Sequence, residues 1–251
     1  MVMPHRIFIV CWLLVLAEVA VYGQSQDSPA QWLNQLRSAP PDTHRVALLL
    51  KLGNYYLYKP EELQPDLDSA LMLVREAKAL SESLKSDKWI EESNWLLGFC
   101  HFERKELLAG RATFKLLADQ YRKTGDLSAE AAAWMRMGIQ MNRNKYTYEE
   151  CIRYFQKAIA LYRQTGEKEL PIVALKEIAD VHLNQGKLDE SEKELREVIE
   201  LYKAIGYRNL HYTYDLLAAV STLKGNMNQA LYFALEMIKS MEATGDSSSA
   251  A

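Results

Sequence analysis

Four segments, QYRKTGD at 120–126, LYRQTGE at 161–167, LYKAIGY at 201–207 and SMEATGD at 240–246, each close an apolar run. Their glycines, Gly125, Gly166, Gly206 and Gly245, stand 41, 40 and 39 residues apart. A recurrence this regular marks a stacked architecture, in which each unit is one supersecondary element that buries its apolar face against its neighbours. The reading works outward from these glycines.

Thirteen residues after Gly125 comes Gly138, thirteen after Gly166 comes Ala179, and twelve after Gly206 comes Ala218; Gly98 and Gly53 take the same place earlier. Around them apolar residues recur at helical spacing, as in Trp134, Met137 and Met141 or Leu175, Ile178 and His182. Glycine inside a helix costs about 1 kcal/mol against alanine, so a repeated small residue there predicts close approach of a second helix. That second helix is marked by Ala70, Val74 and Ala77, then by Gly110, Phe114 and Leu117. Cys151, Phe155 and Ala158, then Ser191, Leu195 and Val198, then Ala230, Ala234 and Met237 repeat the same offsets. The expected fold is all-α, a stack of antiparallel helix hairpins.

The pattern resembles the tetratricopeptide repeat, which implies that the hairpins form a right-handed superhelical solenoid. Trp134-Met135-Arg136-Met137-Gly138 and Leu175-Lys176-Glu177-Ile178-Ala179 carry the first half of that signature. The segments Asn184 to Ser191 and Leu223 to Ala230 carry the tight turn between the two helices. The resemblance covers five hairpins over residues 43–246. Two departures stand out: the unit is about 40 residues rather than the family's 34, and unit one carries an insertion, Tyr58 to Asp68, whose Pro60 and Pro65 predict an ordered loop. Ahead of the array, residues 24–42 hold a short helix with Trp32, Leu33 and Leu36 on one side, ended by Pro40 and Pro41, expected to cap the stack. Residues 247–251 read as the start of a further repeat, from which the chain is expected to be the front portion of a longer protein; a natural end in a polar tail is the alternative.

Residues 1–23 differ in kind. His5 and Arg6 precede an apolar stretch from Ile7 to Ala17, and Val21-Tyr22-Gly23 follows before Gln24. This is the pattern of a secretory signal peptide, with an apolar run shorter than the roughly 20 residues a spanning helix needs. Cys11 has no small-residue box before it, so a lipid anchor is not expected. Removal of the leader leaves Cys100 and Cys151, too few for a disulfide framework, and both are expected as small buried thiols. The expected location is the cell envelope or periplasm.

With 30 Lys+Arg against 33 Asp+Glu, the chain has no basic stripe for nucleic acid. The five histidines never pair three or four residues apart, so no helical zinc-type site is read, and no catalytic or cofactor motif has usable spacing. His101 and His182 fall where the repeat places a packing residue. No cofactor, metal or enzymatic activity is expected.

Function is then expected from surface. In the family that the chain resembles, the first helices of successive units line a concave groove that receives a peptide or partner helix. Transferred by position, that groove takes Leu50 and Asn54 from unit one and Trp95, Phe99 and Phe102 from unit two. Unit three supplies Met135, Ile139 and Asn142, unit four Lys176, Asp180 and Asn184, and unit five Tyr212, Asp215 and Thr222. The aromatic patch could anchor a partner's side chains or be filled by the chain's own packing. The Lys and Asn set with which some family members clamp a C-terminal carboxylate is missing from the corresponding positions. The expected partner is a protein or peptide, with no nucleic acid and no membrane contact by the repeats. The long units behind a leader also resemble the N-terminal region of bacterial signalling proteins, which implies a transmembrane helix and output domain further on. A stand-alone exported scaffold is the alternative, and a cytoplasmic peptide-responsive regulator is a third if the N-terminus is not a leader.

Overall fold

The computed structural model describes residues 28–60, 63–142 and 146–245. The leader and the segment at 247–251 therefore lie outside the described residues. Among the described residues the secondary structure is eleven α-helices, in a solenoid. They run α1 (Pro29–Ser38), α2 (Thr43–Leu57), α3 (Gln64–Ser83), α4 (Asp87–Glu103), α5 (Leu107–Thr124), α6 (Leu127–Met141), α7 (Tyr148–Gln164), α8 (Leu170–Asn184), α9 (Leu188–Ala204), α10 (His211–Leu223) and α11 (Met227–Thr244). From α2 onward consecutive helices pack in pairs, and each second helix also packs on the first helix of the next pair. None of the described helices is long and apolar enough to cross a membrane.

Local chemistry explains where the helices begin and end. Ser28 and Gln31 form a reciprocal capping box at the start of α1, with Pro29 in the first turn, where its missing N–H costs nothing. Arg45 fastens the other end of α1 to the stack: its Nη1 donates to the carbonyls of Leu36 (2.8 Å) and Ala39 (3.2 Å), and its Nη2 pairs with Glu76. Trp32 and Leu36 complete the contact by packing on the core of the first hairpin. Pro65 likewise sits in the first turn of α3, so the helix begins at Gln64 and the expected insertion loop is shorter than Tyr58 to Asp68. Gly125 closes α5 at φ 77°, in the left-handed region that spares glycine a Cβ penalty. Lys85 and Lys105 adopt the same region, at φ 52° and 62°, in the turns after α3 and α4.

The repeated small residues do what their spacing predicts. A Cβ on Gly98 would lie 2.7 Å from the Phe114 ring, and one on Gly138 would lie 2.6 Å from the Phe155 ring. Both rings are fully buried. The second and third hairpins are therefore closed by an aromatic side chain of the second helix seated on a bare patch of the first, and in the first hairpin Val74 takes that place against Gly53. Cys100 and Cys151 are buried and free, and burial pushes their thiols up to about 12 and about 11.

Candidate binding groove

Successive first helices approach one another directly: α2 meets α4, α4 meets α6, and α8 meets α10. Side chains of α2 and α4, with Tyr58 just past the end of α2, form a cleft of about 390 Å³ lined by Leu50, Asn54, Tyr58, Glu92, Trp95, Leu96 and Phe99. Of the residues expected at the groove, Leu50, Asn54, Trp95 and Phe99 are thus brought to one place. Asn54 is exposed, while Trp95 and Phe99 are half-buried.

The aromatic wall of this cleft is held from beneath. Trp95 and Phe99 stack with centroids 6.3 Å apart, and both meet Phe114 edge-on at 5.3 Å. The Trp95 indole N–H donates to the Tyr121 hydroxyl at 2.8 Å, and that hydroxyl donates to Glu91 at 2.5 Å. Burial, reinforced by the Glu91 carboxylate, raises the Tyr121 pKa well above its ordinary value, so the hydroxyl stays protonated and the chain of bonds intact. An indole whose N–H is already satisfied presents an apolar face in a fixed orientation, and a fixed face loses little rotamer entropy when something binds it.

Phe102 and Met135 depart from expectation. Both are buried in the core, 6% and 7% exposed. Phe102 turns onto α5, where Gly110 leaves room for its ring: a Cβ there would lie 2.9 Å from it. Met135 joins the central apolar cluster with Trp134 and Met137. Neither offers surface to a partner.

Further along, the first helices carry a polar network. Asn142, following α6, donates from Nδ2 to Asp180 of α8 at 2.7 Å, and Asn184 Nδ2 donates to the Asn142 side-chain oxygen at 3.5 Å. Burial, with Glu177 nearby, raises the Asp180 pKa, while Lys176 and the Asn142 bond oppose the rise. Lys176 pairs with Glu177 at 3.0 Å and lies 5.4 Å above the Tyr212 ring of α10. The Asn142–Asp180 bond therefore ties the third hairpin to the fourth and the Lys176–Tyr212 contact ties the fourth to the fifth, and Asp215 is exposed on α10.

Sequence reasoning missed Tyr121, Glu91 and Tyr58. Tyr121 had a visible signal: it is the tyrosine of the first quoted heptapeptide, and its counterparts Tyr162 and Tyr202 are buried as well. Its bond to Trp95 joins residues of two helices and has no signature in either segment.

Residues 130–204 match the tetratricopeptide repeat family model. No curated protein matches the sequence. Among solved structures, the chain is similar to nearly identical tetratricopeptide-like repeats of a kinesin light chain from Podosopora anserina, with TM-score 0.59 at 14% identity over 81% of this chain and 97% of that one. It is similar to a signal-transduction ATPase from Pyrococcus horikoshii that carries a tetratricopeptide repeat sensor, with TM-score 0.66 at 16% identity over 91% of this chain and 35% of that one. It is also similar to the Rap conjugation gene regulator of plasmid pLS20, solved in complex with a Phr peptide, with TM-score 0.63 at 14% identity over 98% of this chain and 67% of that one.

Proposed function

Since this chain is a tetratricopeptide-type solenoid, with the family pattern matched over residues 130–204, we propose that it is a scaffold holding a protein or peptide against its first helices. The observation that carries this reading is the prepared cleft between α2 and α4. Trp95 and Phe99 stand there as an apolar wall whose polar edge is already bonded internally. Anchors of this kind dominate binding energy at protein interfaces. The similarity to a regulator solved with a bound peptide supports the same reading, and folds of this kind typically serve as interaction scaffolds rather than catalysts.

We further propose that the array works outside the cytoplasm, in the cell envelope, as the sensing region of a larger signalling protein; the leader-like pattern of residues 1–23 supports this reading. The similarity to an ATPase with a repeat sensor supports the sensing role. N-terminal sequencing of the chain isolated from its native cells tests the leader reading, with Gln24 expected as the first residue and an intact Met1 refuting it.

Binding is tested by selecting ligands from a displayed random-peptide library and measuring their affinity for Asn54→Lys. That substitution puts a long charged side chain at an exposed position in the cleft without touching the core. A loss of tenfold or more is expected, and unchanged affinity for every selected peptide would place the site elsewhere.

A further inference from the structure

In the fourth hairpin, His182 of α8 faces two glutamates of α9, Glu190 and Glu194, which lie one helical turn apart. Its side chain is 9% exposed. Nδ1 is 2.7 Å from Glu194 Oε2, a hydrogen bond with the proton on Nδ1. Nε2 then carries its lone pair toward Glu190, whose Oε1 is 3.9 Å away, beyond hydrogen-bond reach. Two donors bound about 2.1 Å from one tetrahedral zinc ion would stand about 3.4 Å apart, so the gap is close to the spacing of a shared cation. An imidazole that donates its other ring N–H to a carboxylate is also the usual state of a metal-bound histidine, since that bond fixes the tautomer and the ring.

The surrounding charges sharpen the point. On the same helix Asp189 pairs with Lys224, Glu192 with Lys224 and Arg196, Glu197 with Lys193, and Glu200 with Lys203. Among the described residues, Glu190 and Glu194 are bridged to no lysine or arginine, and both face His182. The repeat supplies its own contrast in His101, which occupies the same position in the second hairpin. Its partner Glu106 is also held by Arg104, so that carboxylate is neutralised. His182 and Glu194 also line a cavity of about 570 Å³ together with Glu149, Arg163 and Lys187, while Glu190 stands exposed beside it.

We propose that His182, Glu190 and Glu194 form a site for a divalent transition-metal ion, with Nε2 of His182 and the Glu190 carboxylate as ligands and Glu194 as a further ligand or as the group that orients the ring. One imidazole with carboxylates suits zinc, cobalt or manganese rather than calcium or magnesium, which take oxygen donors. The ion would clip α8 to α9, and the site is independent of the proposed groove.

The metal-stripped chain titrated calorimetrically with zinc tests this, beside Co2+ titrated in its place and followed by visible d–d absorption. One ion per chain is expected, with a Co2+ spectrum of mixed nitrogen and oxygen ligation. Glu190→Gln, at a half-exposed position where the fold is not at stake, should weaken zinc at least tenfold, and Glu194→Gln should weaken it about 10- to 100-fold. His182→Gln should remove the cobalt spectrum. If the wild-type chain takes up no zinc or cobalt, or if Glu190→Gln binds with unchanged affinity and spectrum, the three side chains form a hydrogen-bonded cluster only and the proposal is overturned.

Discussion

Replacing Gly138 by alanine sets two effects of known size against each other. In a helix interior alanine is favoured over glycine by about 1 kcal/mol. At this position, however, the added Cβ would lie 2.6 Å from Cε1, 2.8 Å from Cζ and 3.0 Å from Cδ1 of Phe155. The obstacle is the side of a ring rather than the free end of a flexible chain, and Phe155 is fully buried within the central cluster. It can retreat only by displacing its neighbours. Overpacking of this kind costs about 1–3 kcal/mol, and here it should approach the upper end because three ring atoms are met at once. Gly138→Ala is therefore expected to be destabilised by a net of about 1–2 kcal/mol, a fall in Tm of about 3–6 °C for a chain of this size. Urea unfolding followed by circular dichroism measures it. Shrinking the ring should relieve the clash: Gly138→Ala with Phe155→Leu should lose less than the sum of the two single variants, by about 1 kcal/mol. If Gly138→Ala is as stable as the parent, or more stable, the argument that the repeated small residues exist for close helix approach fails.

Three further outcomes are expected. Lys105→Gly removes an L-residue from the left-handed region and should stabilise the chain by about 0.5–1 kcal/mol, read from its urea midpoint. The raised pKa of Asp180 means the folded state holds its proton more tightly than the unfolded state, so stability should decline as pH rises from the ordinary carboxylate value through the raised one; Asp180→Asn should abolish that decline and be more stable than the parent at neutral pH. With their thiols pushed up to about 12 and about 11, Cys100 and Cys151 should resist a thiol reagent in the folded chain and react promptly in denaturant, and fast labelling of the native protein would contradict their burial.

The architecture was legible because its determinants recur. Gly125, Gly166, Gly206 and Gly245 mark turns whose backbone requires a positive φ, and Gly98 and Gly138 mark close approaches, so the period could be read without any tertiary information. Lys85 occupies the equivalent turn, 40 residues before Gly125, without a glycine, which is why the glycine series begins only at 125; Lys105 sits in the turn inside the second hairpin, where the fourth and fifth have Gly186 and Gly225. Site details were harder to read. The link from Asn142 to Asp180 and Asn184 spans one repeat, so register placed these residues together, but only the fold shows them hydrogen-bonded. Phe102 and Met135 occupy groove positions by register and are nonetheless buried, because Gly110 makes space for one and the central cluster absorbs the other. His101 and His182 read as packing residues and are indeed buried, but their glutamates lie on other elements, five and twelve residues away, beyond any search for paired histidines along one helix.

The central claim is that the first helices bind a partner, and hydrogen–deuterium exchange on the chain with and without a selected peptide tests it most directly. The account predicts that the peptide slows exchange in α2 and α4 around Asn54, Trp95 and Phe99, and that Asn54→Lys abolishes this protection. Protection confined to the second helices α3, α5 and α7, with α2 and α4 unchanged, would contradict it.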